Sequence, residues 1–338
     1  MIRRILAAAI TLALAALLLV ACWPQLLGLE QTMGVVQLVA LRGIAALVAV
    51  LAAVLLTLFA LLSLRARRFF AGLAVLLLIF AVVSTGVLAI RGFGGGAFQT
   101  TADGDLVVLS WNTLGDAPGA EAIASLALEN ETDVVALPET SHEAGERVRV
   151  LMENAGRPMQ LLEKRYDTVS KARSTVLLVS TALGEYRIDE EVGSTPTLPS
   201  VVAVPVDGSG PTLVAAHPVA PVPGEMENWR DGLAWLAARC DDPDADVIVA
   251  GDLNSTIDHW ARFGSDVGLA SCRDAARAVG AAALGTWPTL MPAVLAAPID
   301  HVLATDAWEP IGFRVVESQD GAGSDHRPIL AQLRPASG

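Results

Sequence analysis

Three long uncharged apolar runs dominate the first ninety residues: Ile5 to Cys22, Gly43 to Leu64 and Phe69 to Ile90. Each has the ~18–22 residues needed to carry a helix across ~30 Å of hydrocarbon. A helix buried in a soluble core seldom stays uncharged on every face for so long. The sequence therefore predicts a membrane anchor over 1–91, with three transmembrane helices at about 5–22, 43–64 and 69–90. A glycine-rich stretch at 92–103 follows, read as a flexible hinge because glycine runs resist regular structure. A globular domain is expected over 104–338.

Charge divides the chain at the same place. Of its 23 basic and 36 acidic residues, only Arg3, Arg4, Arg42, Arg65, Arg67, Arg68, Arg91 and Glu30 fall within 1–100. The remaining 16 basic and 35 acidic residues give 101–338 a net charge of −19. Affinity for a nucleic-acid backbone rests on Lys and Arg neutralising phosphates, so this acidity argues against nucleic acid as a partner. The lipid bilayer is the partner implied by the anchor. Oligomeric state leaves no mark in the sequence.

Orientation follows from the arginines. Arg3 and Arg4 precede the first span, and Arg65, Arg67 and Arg68 fill the loop between the second and third. The positive-inside rule puts both in the cytoplasm. A multi-pass plasma-membrane protein with a cytoplasmic N-terminus and an extracytoplasmic acidic domain is expected. Leu19-Val20-Ala21-Cys22 resembles a bacterial lipoprotein-processing site, but reads more readily as a small-residue ending to the first span. Both readings leave the acidic domain on the same side. Cys240 and Cys272 suit a disulfide outside the cytoplasm, and suit two unpaired buried thiols just as well.

Within the acidic domain, short β-rich runs recur at Leu106–Trp111, Asp133–Leu137, Thr175–Ser180, Val201–Val206, Thr212–Ala216, Val247–Ala250, Ile299–Ala304 and Ile329–Leu333. Helical patterns occupy Ala120–Glu129, Glu143–Asn154 and Glu225–Cys240. This is a mixed α/β pattern. Polar residues cluster where the strands end: Asn112, Glu139, His217, Asp252 with Asn254, Asp300 with His301, and Asp325 with His326. Strand ends lining a crevice are where α/β sheets hold ligands. Carboxylates and an amide suit a hard cation such as Mg²⁺ or Mn²⁺, and His–Asp pairs suit proton handling near neutrality.

In order, LSWN (109–112), LPE (137–139), AAHP (215–218), GDLN (251–254), IDH (299–301) and SDH (324–326) resemble the motif series of the endonuclease/exonuclease/phosphatase superfamily, whose members include DNase I, abasic-site endonucleases, bacterial sphingomyelinases and inositol-phosphate 5-phosphatases. The resemblance spans about 105–333. It implies an α/β (α+β) fold, a four-layer sandwich of DNase I-like type, and a Mg²⁺- or Mn²⁺-dependent hydrolase of phosphate esters. It implies metal-side roles for Asn112, Glu139 and Asp325. It makes Asp252 the residue that orients or deprotonates the attacking water and Asn254 a phosphate-contacting amide. His326, oriented by Asp300, resembles the catalytic histidine, and His217 the second histidine at the scissile phosphate.

Two departures stand out. Pro138 replaces the usual Gln, and His301 has no set role. His142 and His259 fit no motif and read as surface residues; Gly285-Thr286-Trp287-Pro288 reads as a cleft wall or as a structural loop. The three spans together with such a domain resemble the VanJ-type teicoplanin-resistance proteins, which implies a lipid-linked or cell-envelope phosphate as substrate. The competing readings are an extracytoplasmic nuclease of the DNase I-like class, which needs a basic, aromatic-lined groove, and a non-catalytic binding module on the same scaffold.

Overall fold

The computed structural model describes residues 1–94, 98–264 and 268–336, so the central part of the glycine stretch lies outside the described residues. The chain divides into two compact units, Met1–Arg91 and Gly92–Gly338.

The first unit is helical. Helices α1 (Ile2–Cys22), α3 (Arg42–Leu62) and α4 (Arg67–Arg91) have 21, 21 and 25 residues and mean hydropathies of 2.8, 2.9 and 2.8, long and apolar enough to cross a membrane. At 1.5 Å per residue each reaches ~30 Å. Between the first two lies the short α2 (Val35–Ala40). Small residues let the helices approach closely: Ala21, Ala46, Ala49 and Ala81 cluster with Phe80. Arg42 is buried and donates to the carbonyl of Cys22, one of the backbone acceptors that the end of α1 leaves unmatched.

The second unit begins with the glycines. Gly94 N–H donates to Gly280 O, and Gly92 O accepts from Ala283 N. A Cβ on Gly92 would stand 1.9 Å from Gly280 O, so only glycine fits. The hinge expected here is therefore pinned at its start. Past the glycines, Gln99 exchanges hydrogen bonds with the Gln332 side chain.

Two sheets follow. Strands β1 (Leu106–Ser110), β2 (Val134–Pro138), β3 (Met159–Arg165) and β4 (Ser174–Ser180) belong to the first, and β12 (Trp308–Val315) and β13 (Ile329–Pro335) complete it, in the order β12-β13-β1-β2-β4-β3. The second holds β5 (Tyr186–Ile188), β6 (Val201–Pro205), β7 (Thr212–Ala216), β8 (Val247–Asp252), β9 (Gly268–Leu269), β10 (Cys272–Asp274) and β11 (Asp300–Ala304), in the order β5-β6-β7-β8-β11-β10-β9.

Alternation along the strands builds the layers. Val108, Ala136 and Leu177 face Leu213, Ile248 and Val302 across the space between the sheets. Val107, Leu109, Val135 and Leu137 point the other way, against Ile123, Ala127, Val148 and Met152 of α5 (Gly119–Glu129) and α6 (His142–Asn154). Helix α7 (Met226–Arg239) buries Trp229, Leu233 and Leu236, one helical stripe. It covers the second sheet: its Gly232 would meet Pro218 at 2.9 Å were it to carry a Cβ. The four-layer α/β sandwich is thus observed. A single turn, α8 (Ala275–Ala278), follows β10.

A disulfide joins Cys240, just past α7, to Cys272 in β10, with Cα atoms 5.3 Å apart. It ties the outer helix to the sheet beneath it and closes a loop of sequence separation 32. Replacing both cysteines by alanine in the full-length protein is expected to lower stability by roughly 2–5 kcal/mol. A fall in the urea midpoint in detergent is the readout; an unchanged midpoint would show that the bond contributes nothing.

Candidate active site

Parallel pairing of β1 with β2 puts Asn112 and Glu139 at one edge of the first sheet. Antiparallel β13 starts there too, since Ile329 pairs with Ser110, so the loop carrying Asp325 and His326 reaches the same edge. In the second sheet β7 and β8 run parallel with Ala216 opposite Gly251, and β11 returns with Asp300 opposite Asp252. His217, Asp252 and Asp300 therefore share one edge of that sheet. Gly251 is needed there, because a Cβ would meet Ala216 O at 2.0 Å.

The two edges meet. Asn112 Nδ2 donates to Glu139 Oε1 at 3.0 Å and to Asp252 Oδ2 at 3.0 Å, joining the sheets. Its Oδ1 accepts from Leu114 N–H. His217 Nε2 lies 3.6 Å from Glu139 Oε1. His326 Nδ1 bonds Asp300 Oδ2 at 2.9 Å, and its Nε2 lies 3.7 Å from Asp252 Oδ2. Asn254 donates its backbone N–H to Asp252 Oδ1 at 2.8 Å and its side chain to Asp252 Oδ2 and to Pro218 O. Asp325 Oδ2 accepts from Trp287 Nε1 at 2.8 Å, and its buried Oδ1 has no hydrogen-bond partner among the described residues.

Electrostatics separates the roles. His217 is fully buried, and among the described residues neither ring nitrogen has a hydrogen-bond partner. Burial, helped by the charge of His326, pushes its pKa down to about 3, so the ring is neutral at pH 7. Burial also opposes a charge on His326, but the carboxylates of Asp300 and Asp252, with the Asp300 hydrogen bond, outweigh it and hold the imidazolium. Burial pushes Asp252 above the usual carboxylate range, against the pull of His326. Glu139 and Asn254 both take left-handed backbone, with φ of +57° and +45°. Such conformations are costly for non-glycine residues and gather at functional sites.

Two groups of ligand atoms suggest a cation. Asp252, Asp300 and His326 place donor atoms within 4.8 Å of one another. Within this trio Asp300 Oδ2 and His326 Nδ1 already bond each other at 2.9 Å. The oxygen donors around Glu139, whose side chain stays 20% exposed, fit a hard divalent cation better. Asn112 turns its amide nitrogen to the carboxylates; half a turn about χ2 would present its oxygen instead. The unpartnered Asp325 Oδ1 is a further available donor.

Four residues to which the sequence assigned no role support the site. Thr286 Oγ1 accepts from the backbone N–H of Ile299 and Asp300. Ser324 Oγ donates to Asn112 O, and Trp111 Nε1 donates to His326 O. Trp287 contributes the bond to Asp325, so the GTWP stretch holds a site residue in place. His259 is corrected from surface to core: it is buried, accepts from Thr256 N–H and packs edge-on to Trp229. His142 is exposed as expected.

A sandwich of two sheets with carboxylates, an amide and two histidines converging at one edge defines a class of hydrolase scaffold. The endonuclease/exonuclease/phosphatase family model matches residues 109–326, and the chain belongs to that family. Its fold is similar to that of a humanised form of TDP2 from D. rerio carrying 14 mutations (20% identity, TM-score 0.53, 69% of this chain and 100% of that one). D. rerio TDP2 complexed with single-strand DNA product is similar at 21% identity and a TM-score of 0.52, over 69% and 100% of the two chains. An endonuclease/exonuclease/phosphatase from Beutenbergia cavernae matches at 20% identity and a TM-score of 0.51, over 69% and 72%. No curated protein matches the sequence. The family is typically dependent on divalent metal, and hydrolysis of phosphate esters is its chemistry.

Proposed function

We propose that the chain is a membrane-anchored phosphoesterase using Mg²⁺ or Mn²⁺ to hydrolyse a phosphate mono- or diester, carried on a lipid or another envelope component, at the outer face of the membrane. The observation that carries this is the bridging of the two sheets at one edge by Asn112, Glu139 and Asp252, beside the Asp300–His326 pair.

The chemistry follows from these groups. Asp252 holds the attacking water and takes its proton as the water oxygen bonds to phosphorus and the ester P–O bond breaks. His326, kept protonated and oriented by Asp300, faces a phosphoryl or leaving oxygen with its Nε2–H. Neutral His217 and the Asn254 amide bind the remaining oxygens as donors. A divalent cation, held by Glu139 with Asn112 and Asp325, supplies neutralisation of phosphate charge when bound.

The outer-face placement is supported by the RARR loop and by the disulfide, since such bonds persist in oxidising compartments. The lipid class is supported by the loops around the site. Leu114, Val169, Val222, Leu290 and Val294 are exposed apolar residues on segments following Asn112, joining β3 to β4, following His217 and flanking Trp287, with Leu290 94% exposed. The net charge of −19 opposes a polyanionic polymer as substrate. Membership of the VanJ-type group rests on this combination of anchor and domain.

The test uses the full-length protein in detergent with Mg²⁺. Phosphate release from prenyl pyrophosphates and product from sphingomyelin are measured beside nicking of plasmid DNA. Turnover of an amphiphilic phosphate with intact plasmid is expected; plasmid nicking without lipid turnover would make the protein a nuclease. Glu139→Gln is expected to weaken Mn²⁺ binding by about tenfold or more, measured by paramagnetic resonance of free Mn²⁺. Unchanged Mn²⁺ affinity would remove Glu139 from the metal site.

A further inference from the structure

His301 follows catalytic Asp300 but leaves the opposite face of β11. Val302 and Ala304 share the Asp300 side and enter the core between the sheets, whereas His301 turns outward. Asp274 in β10 lies opposite Leu303, two residues on from His301, so both side chains stand on that outer face. The pair is fully enclosed, with side-chain exposures of 4% and 0%.

Every polar atom of the His301 ring is engaged. Nδ1 lies 2.6 Å from Asp274 Oδ2. Nε2 lies 3.0 Å from Ser255 O and 3.1 Å from Pro298 O. Carbonyl oxygens only accept, so Nε2 carries a hydrogen in every protonation state of the pair. Asp274 is itself fixed, because its Oδ1 accepts from Arg277 N–H. The Trp260 ring packs edge-on to the imidazole at 4.7 Å, and its Nε1 donates to Ser255 Oγ.

Ser255 is the residue after Asn254. Asn254 sits at φ +45°, its carbonyl accepting from Trp229 Nε1 while its N–H and side chain hold both oxygens of Asp252. A left-handed asparagine persists when its neighbours over-determine it. The clamp on Ser255 restrains the next residue along the chain, from behind the sheet.

We infer that His301, held by Asp274, is a positioning residue: it grips Ser255 from behind the sheet and thereby sets Asn254 and Asp252 against the scissile phosphate. The inference rests on the phosphoesterase reading above. A misplacement of about 1 Å in a catalytic group costs ~10²-fold in rate.

Two isosteric amides separate positioning from simple stability. Gln at 301 puts its N–H where Nε2 stands, near Ser255 O, and loses Asp274. Asn at 301 puts its amide where Nδ1 stands, near Asp274, and loses Ser255. Full-length protein in detergent is assayed with bis(p-nitrophenyl) phosphate and Mg²⁺, with Asp252→Asn alongside and unfolding midpoints for all variants. His301→Asn is expected to lose ~10²-fold in kcat with little change in KM, while His301→Gln stays near wild type. The same ranking is expected for orthovanadate affinity, which reads the site without turnover. Equal kcat and equal vanadate affinity for the two amides would overturn the inference. Should Asp252→Asn itself match wild type, the hydrolytic reading would fall instead.

Discussion

Asp252→Asn is expected to lower kcat on any phosphate ester the protein hydrolyses by about 10²–10⁴-fold, the range for losing a general base. The substitution keeps the side chain's shape and one acceptor oxygen, for either the Asn254 N–H or the Asn112 amide, so the fold is expected to survive at some cost in stability and KM to change little. What it removes is a group that can take the water's proton. The pH profile carries the same signature. Below its pKa Asp252 is protonated and cannot accept a proton, so activity falls on the acid side. Because burial raises that pKa to about 7, the acid limb of kcat/KM should lie well above the range of an ordinary carboxylate. An acid limb near pH 4, or full activity in the amide variant, would take Asp252 out of the mechanism.

His326→Gln is expected to cost a similar factor. Glutamine places an uncharged donor near Nε2 but cannot hold the positive charge that Asp300 and Asp252 sustain on the ring. It also removes the cation facing Asp300, whose Oδ1 already has no hydrogen-bond partner among the described residues. Groups that act as a unit are strongly non-additive. The double variant Asp252→Asn/His326→Gln should therefore be little slower than either single one. Multiplied losses would mean that the two residues serve separate steps and share no proton path.

Much of this was legible in the sequence. Strands such as Leu106–Ser110 and Val247–Asp252 are covered on both faces, so they read as continuous apolar runs, and a polar residue ending such a run stands out. β3 and β12 left no such trace. β3 is an edge strand reading MQLLEKR with only Met159 buried, and β12 is the other edge, carrying Pro310 beside a register shift. Edge strands tolerate polar residues and proline. The site divides in the same way. Residues proposed to meet the phosphate lie in compact motifs, whereas most of their supports do not. Asp274, Thr286 and Trp287 are brought in by sheet pairing and loop closure across 27, 14 and 38 positions. His259 gave no sign of burial because its cover, Trp229, comes from a distant helix.

The chain order of the sheets carries a consequence of its own. Strands β5–β11 form one sheet and are inserted whole between β4 and β12 of the other. Asn112, Glu139, Asp325 and His326 belong to the host layer; His217, Asp252, Asn254 and Asp300 to the guest. Neither layer holds half a reaction alone. On the proposed mechanism, catalytic rate becomes a gauge of how the two slabs are seated, and small changes in their shared filling, at Val108, Ala136, Leu213 or Val302, offer a way to tune speed from the interior without altering a single reactive group.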